Sequence, residues 1–176
     1  MQIVFIGTVE FSLQMLKTLL DHNVEIVGVV TAKDRGTNSD YADLGPICGE
    51  HQIPCLLTND VNAQETIDWV GTLVPDVIFC LGWSRLVKNN LLRLPSLGMI
   101  GYHPAALPRN RGRHPLIWAL VLGLKKTAST FFFMDNGADS GDILSQQEII
   151  IFDEDDARSL YGKMIETAKK QLLEII

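Results

Sequence analysis

Short apolar runs alternate with amphipathic stretches along the 176 residues of this chain. Residues 2–6 form a first strand-like run that ends at Gly7-Thr8. Phe11, Met15, Leu16, Leu19 and Leu20 then recur at helical spacing, which predicts a helix. Residues 24–30 predict a second strand, and the polar, glycine-containing stretch 32–43 predicts a mobile loop. A short helix over 44–51 and a brief strand over 55–57 follow. A helix is predicted over 62–73, capped by Asn59 or Asp60 and stopped by Val74-Pro75-Asp76. Residues 77–81 read as a buried strand, and Gly82-Trp83-Ser84 turns the chain into a helix over 88–92. The strand predicted over 99–102 delivers His103 at its carboxyl end. A helix over 115–122 carries Pro115 in its first turn. Two β-rich runs, 127–134 and 143–151, flank the loop MDNGADSGD. The final helix starts within 153–156 and keeps Leu160, Met164, Ile165, Ala168 and Leu172 on one face.

This alternation predicts an α/β fold, a mostly parallel sheet flanked by helices. The length suits one domain with its own core, and no internal repeat divides it. The last predicted helix reaches the end of the chain, so the expectation is a single domain over 1–176 without an accessory carboxyl-terminal domain. A net charge of −6 argues against a general nucleic-acid or membrane-surface binder. No apolar stretch reaches membrane-spanning length. Cys48, Cys55 and Cys80 have neither disulfide-framework nor metal-ligand spacing, and Cys80 sits in an apolar run as core packing. The amino terminus enters a strand directly, without a leader pattern. A reduced, cytoplasmic enzyme without a metal is the expectation.

In open α/β sheets, ligands bind outside the carboxyl ends of the strands. Three predicted loops lie there: residues 7–10, 82–85 and 103–114. The third belongs to GYHPAALPRNRGRHP, whose His103 follows an apolar strand and precedes Pro104. An imidazole held there serves proton transfer or oxyanion stabilisation, and a hydrogen-bonded structural role is the plainer reading. In the loop 135–142, a carboxylate that reached His103 would orient its ring. A solvated turn is the alternative, since EF-hand spacing is absent. Arg109, Arg111 and Arg113 suit phosphate, with Gly112 letting the backbone turn between the last two. His114 either caps the next helix or contacts substrate. Gly7-Thr8 is equally a tight turn or part of a site, because both GxGxxG and the P-loop pattern are missing. Trp83 and Trp118 read as core or as pocket wall, core being the favoured reading.

HPAALPRNRG, PLIWAL and TASTFFFMDNGADSGDI, together with FIGTVEF and DVIFCLGWSRLV, resemble the folate-dependent formyltransferases. The likeness spans nearly the whole chain. It implies a Rossmann-like catalytic domain that moves a formyl group from 10-formyltetrahydrofolate to an amine, with no metal. It places the catalytic His on His103 and the catalytic Asp on Asp139, with Asp135 and Asp142 beside it. The pterin would be held by Leu81, Gly82, Trp83, Leu86 and Val87, and by Asp135, Gly137 and Asp139.

Two positions depart from the family. Gly101 stands where it has Asn, and Ala105 where it has Ser. The Asn amide is one of two oxyanion donors there, and losing such a donor costs about 10²–10³ in rate. The replacement is expected from Asn110 or from a water beside Gly101. Slower catalysis by His103 and Asp139 alone is a second account, and a module that binds folate or sugar nucleotide without turnover is a third. Family members act on methionyl-tRNA, glycinamide ribonucleotide or nucleotide-linked amino sugars. NRGRHPLIWALVLGL is similar to the sugar enzymes, so a nucleotide-linked amino sugar is the expected substrate, bound by Gly7, Thr8, Arg111, Arg113 and His114. Glycinamide ribonucleotide or another amine is the alternative. Neither nucleic acid nor membrane is an expected partner, and a homodimer stays open.

Overall fold

The computed structural model describes residues 1–36 and 39–176. The strands are β1 (Ile3–Ile6), β2 (Ile26–Thr31), β3 (Cys55–Leu57), β4 (Val77–Cys80), β5 (Met99–His103), β6 (Lys126–Phe133) and β7 (Ile143–Ile150). The helices are α1 (Glu10–Asp21), α2 (Gly45–Glu50), α3 (Gln64–Thr72), α4 (Asn89–Leu92), α5 (Pro115–Val121) and α6 (Ala157–Ile175). The sheet order is β3-β2-β1-β4-β5-β6-β7. β1 pairs parallel with β2 and β4, β2 pairs parallel with β3, and β6 pairs antiparallel with β7. The expected mostly parallel α/β sheet flanked by helices is therefore present. Among the described residues, no helix is long and apolar enough to cross a membrane.

The chain forms two compact units, Met1–Ile100 and Gly101–Ile176. In the first, Ile3, Val4, Phe5 and Ile6 have no exposed surface, as expected of a central parallel strand covered on both faces. Helix α1 buries Phe11, Met15, Leu16 and Leu19, the face its spacing predicted. β2 begins later than the sequence pattern suggests, because the Val24 N–H donates to Leu19 O at 3.0 Å and closes the end of α1. Neither Asn59 nor Asp60 caps α3, whose N-cap is Ala63. Asp60 Oδ1 instead accepts from Asn62 N at 2.9 Å, and Asn59 Oδ1 accepts from Lys33 N at 3.2 Å. Among the described residues of the expected loop 32–43, the chain forms no helix or strand beyond an isolated bridge from Tyr41 to Val9. Glu10 N donates to Asp40 O at 2.9 Å and Ala42 N donates to Thr8 O at 3.1 Å, tying that segment to the turn after β1. Thr37 and Asn38, also within that expectation, lie outside the described residues.

In the second unit, Ala119, Ile149, Ile151, Leu160 and Met164 form an apolar cluster flanked by Leu116, Leu120 and Leu124. Trp118 is not core: it is 54% exposed, because α5 turns Ala119 rather than Trp118 into that cluster. Helix α6 opens on a reciprocal cap. Ser159 N donates to Asp156 Oδ1 at 2.8 Å, and Asp156 N donates to Ser159 Oγ at 3.0 Å. Its buried face takes Leu160, Met164, Ala168 and Leu172, with Gln171 in place of the half-buried Ile165. Gln171 Nε2 donates to Ser145 Oγ at 2.8 Å, which accommodates an amide there.

Candidate active site

His103 is the last residue of β5, one residue further into the strand than its pattern predicts. The residue is 5% exposed. Its Nε2 lies 2.8 Å from the carbonyl oxygen of Asn110. A carbonyl only accepts, so Nε2 carries a proton and donates. Nδ1 is then the nitrogen left for proton exchange, and it faces Asp139 Oδ2 at 3.5 Å. The sequence-level expectation of a carboxylate from the loop 135–142 beside His103 is met by Asp139.

The segment after the strand holds both partners. Arg111 Nε donates to the Asp139 carbonyl at 2.8 Å, and Gly112 N donates to Asp139 Oδ2 at 3.0 Å. Asp139 itself adopts a left-handed φ of 53°. Asp135 stands apart from the ring and organises its own loop. Its Oδ1 accepts from Ser140 Oγ at 2.6 Å and from Gly137 N at 2.9 Å. Those two bonds, Ser140 first, hold its carboxyl below the usual carboxylate range, with Arg111 adding a smaller push in the same direction.

Gly101 lies in a packed setting. A Cβ there would stand 2.8 Å from Met134 Cγ and 3.0 Å from Phe132 Cζ. The space that a side chain would enter is filled by these apolar groups, so the expected water beside Gly101 has no polar partner to hold it on that side. Asn110 reaches His103 through its carbonyl, an acceptor, rather than through a donating amide. Arg109, Arg113 and His114 are exposed. His114 occupies the N-cap position of α5 with φ 57°, but its side chain makes no capping bond.

The remaining sequence candidates belong to the first unit. Gly7 is buried and donates its N–H to Val30 O at 3.1 Å. Ser12 Oγ links the neighbouring turns: it accepts from Thr8 N at 3.1 Å and Val9 N at 3.2 Å and donates to Leu81 O at 2.5 Å. A Cβ on Gly82, whose φ is 81°, would come within 2.4 Å of Ser12 Oγ and Val9 Cγ2, so the close approach of these turns requires glycine. Leu81 and Val87 are buried, while Leu86 is exposed. Thr8 and Trp83 line a cavity of about 180 Å³ together with Asp34, Arg35, Tyr41 and Arg85. Trp83 is thus pocket wall rather than core, and its buried Nε1, like Thr8 Oγ1, has no hydrogen-bond partner.

Sequence reasoning missed two residues that shape these loops. Ser12 is the hydroxyl just described, and with Val9 at the N-cap no capping pattern in the sequence marked it. Asn62 brackets the other loop, donating to Leu86 O at 2.9 Å and accepting from Lys88 N at 2.7 Å. No local pattern pairs an Asn with a loop that far along the chain. Among the described residues, no group of three or more His, Cys, Asp or Glu side chains could hold a metal ion.

The chain is 33% identical over 180 residues to the methionyl-tRNA formyltransferase of Geobacter sulfurreducens, covering 100% of this chain and 57% of that protein. It is 32% identical over 180 residues to the corresponding enzyme of Clostridioides difficile, covering 100% and 58%. The chain thus spans less than two thirds of the length of these relatives. A phosphoribosylglycinamide formyltransferase from Bacillus halodurans superposes with a TM-score of 0.83 at 21% identity, over 99% of this chain and 92% of that one. WlaRD, a sugar 3N-formyl transferase solved in the presence of dTDP and 5-N-formyl-THF, superposes with a TM-score of 0.75 at 20% identity, over 99% and 61%. The profile of one family, described as Formyl transferase, matches residues 1–176. With that match running from end to end, the chain belongs to the formyl transferase family.

Proposed function

We propose that this chain transfers a formyl group from 10-formyltetrahydrofolate to a primary amine, and that the amine belongs to a nucleotide-linked amino sugar. The observation that carries this reading is the buried His103 with Nε2 committed to a carbonyl and Nδ1 facing Asp139 at 3.5 Å. A folate fits the residues present: the Trp83 indole N–H is buried beside a cavity without a partner, as a donor awaiting an acceptor would be. Leu81, Gly82, Trp83, Leu86 and Val87 hold the pterin in this reading. The folate supplies an electrophilic one-carbon unit.

Protonated His103 donates through Nδ1 to the oxygen on which negative charge develops as the amine attacks. Burial strengthens that interaction by excluding water. Asp139, beside the same nitrogen, would accept the proton the amine loses, and that proton would pass to the folate nitrogen that departs as the formyl–folate bond breaks. Gly101 offers no side-chain donor, so His103 is the side-chain oxyanion donor of this mechanism.

The acidic net charge of −6 and the exposed Arg113 support a small phosphorylated acceptor over a large polyanion. A second reading, methionyl-tRNA, is supported by the 33% identical relative. The test is formamide formation, followed by mass spectrometry, from 10-formyltetrahydrofolate and a panel of nucleotide-linked amino sugars, glycinamide ribonucleotide and methionyl-tRNA. Product with an amino sugar is expected, and His103→Ala or Asp139→Asn should lower turnover by about 10²-fold or more. Product with the tRNA alone would move the acceptor to the second reading. Folate binding without turnover on any amine would leave a binding module in place of an enzyme.

A further inference from the structure

We propose that Arg111 is a positioning residue that holds Asp139 against Nδ1 of His103, an inference that rests on the reading of this pair as the working site. Three successive residues each make one contact with the pair. The Asn110 carbonyl accepts a hydrogen bond from Nε2 at 2.8 Å, Arg111 Nε donates to the Asp139 carbonyl at 2.8 Å, and Gly112 N donates to Asp139 Oδ2 at 3.0 Å. The segment therefore grips the imidazole on one side and the carboxylate residue at both its main chain and its side chain.

Such a grip answers a physical need. Asp139 sits at φ 53°, a left-handed conformation that Asp adopts more readily than most residues but that is uncommon outside glycine, so contacts that hold it there matter. Its side chain keeps 23% of its surface exposed, and the half-buried Ser140 and Gly141 follow it, so burial alone does not fix the carboxylate. Asn110 at φ 56° and Gly112 at φ 101° bend the segment to either side of Arg111. These bends present a carbonyl, a guanidinium Nε–H and an amide N–H in sequence to the same two residues. Neither Asn110 nor Gly112 uses a side chain for this, which leaves Arg111 as the one side chain of the grip.

The geometry separates this role from the anion binding expected of Arg111. Loss of a phosphate contact raises KM and leaves kcat unchanged. Loss of the grip lets the carboxylate wander from Nδ1, which lowers kcat and leaves KM in place; a misplacement of this kind costs on the order of 10²-fold in rate. Lysine keeps the charge but presents an ammonium on a flexible stem instead of an Nε–H in a rigid plane.

The test compares the full chain with its Arg111→Ala and Arg111→Lys variants, by steady-state kinetics and by ¹⁵N NMR of the His103 ring titrated with pH. Thermal melts identify folded variants. The expected result is a fall in kcat of about 10- to 100-fold for Arg111→Ala with KM within twofold, a displaced acid limb in the pH profile, and a changed Nδ1 titration. Arg111→Lys should recover little of either signal. An elevated KM with unchanged kcat and unchanged ring titration would overturn the proposal in favour of anion binding, as would full rescue by lysine. The NMR arm needs no substrate, so a wild-type chain without turnover refutes the formyl-transfer reading while the ring titration still decides the grip.

Discussion

At Gly101, an absent side chain decides more than a present one. Met134 and Phe132 occupy the position that its Cβ would enter, at 2.8 Å and 3.0 Å. Gly101→Asn therefore introduces an amide into a filled apolar corner, and overpacking of this kind costs about 1–3 kcal/mol. Removing the Met134 side chain opens that corner. In a double-mutant cycle followed by denaturant unfolding, Met134→Ala is expected to cancel at least half of the loss caused by Gly101→Asn. Strict additivity of the two changes would show that the glycine and methionine do not compete for the same space.

Among the elements, α6 shows best how a local signal and a packed face combine. Asp156 and Ser159 close its first turn reciprocally, and Leu160 and Met164 lie fully buried in the cluster with Ala119, Ile149 and Ile151. Asp156→Ala is expected to destabilise the protein by about 1 kcal/mol through loss of the cap. Leu160→Ala should cost about 2–5 kcal/mol, because it removes buried methyl groups and leaves a cavity. Urea unfolding orders the two; a Leu160→Ala loss no larger than that of the cap would mean that the cluster relaxes around the gap. Strands β6 and β7 are longer and antiparallel, unlike the short parallel strands of the first unit. The β-rich runs 127–134 and 143–151 marked the greater length but not the antiparallel pairing, and the two-residue delay of β2 was not visible either. Val24 looks like strand by composition, and only the helix end it closes removes it from the ladder.

For the molecule as a whole, acid stability has a definite contributor. Asp155 accepts from Lys163 Nζ, from Phe152 N at 2.8 Å and from Ser159 Oγ at 2.7 Å. These bonds, Lys163 first, hold its carboxyl down at about 2 from an ordinary value of 3.8. A carboxyl depressed on folding contributes its full stabilisation above its unfolded value and loses it as the pH falls toward the folded one. Between about pH 5 and pH 2, the wild-type protein should thus lose more stability than Asp155→Asn does. Parallel curves of unfolding free energy against pH for the two proteins would remove Asp155 from this role.

What the sequence alone determined follows from short-range physics. The order of strands and helices, the apolar faces of α1 and α6, and a histidine at the carboxyl end of β5 all follow from periodicities of a few residues. The expected pairing of a loop carboxylate with His103 named the right loop, and the family resemblance pointed to Asp139 within it. Tertiary structure alone decided what depends on atoms distant in the chain. It showed that the Asn110 carbonyl takes Nε2 and leaves Nδ1 to Asp139, that Met134 fills the place beside Gly101, and that Trp118 faces outward while Trp83 lines a cavity. Asn62 bracketing the loop at Leu86 and Lys88 is of the same kind. A side chain's neighbours across the fold are set by packing and by the satisfaction of buried polar groups, and neither leaves a periodic mark on the sequence.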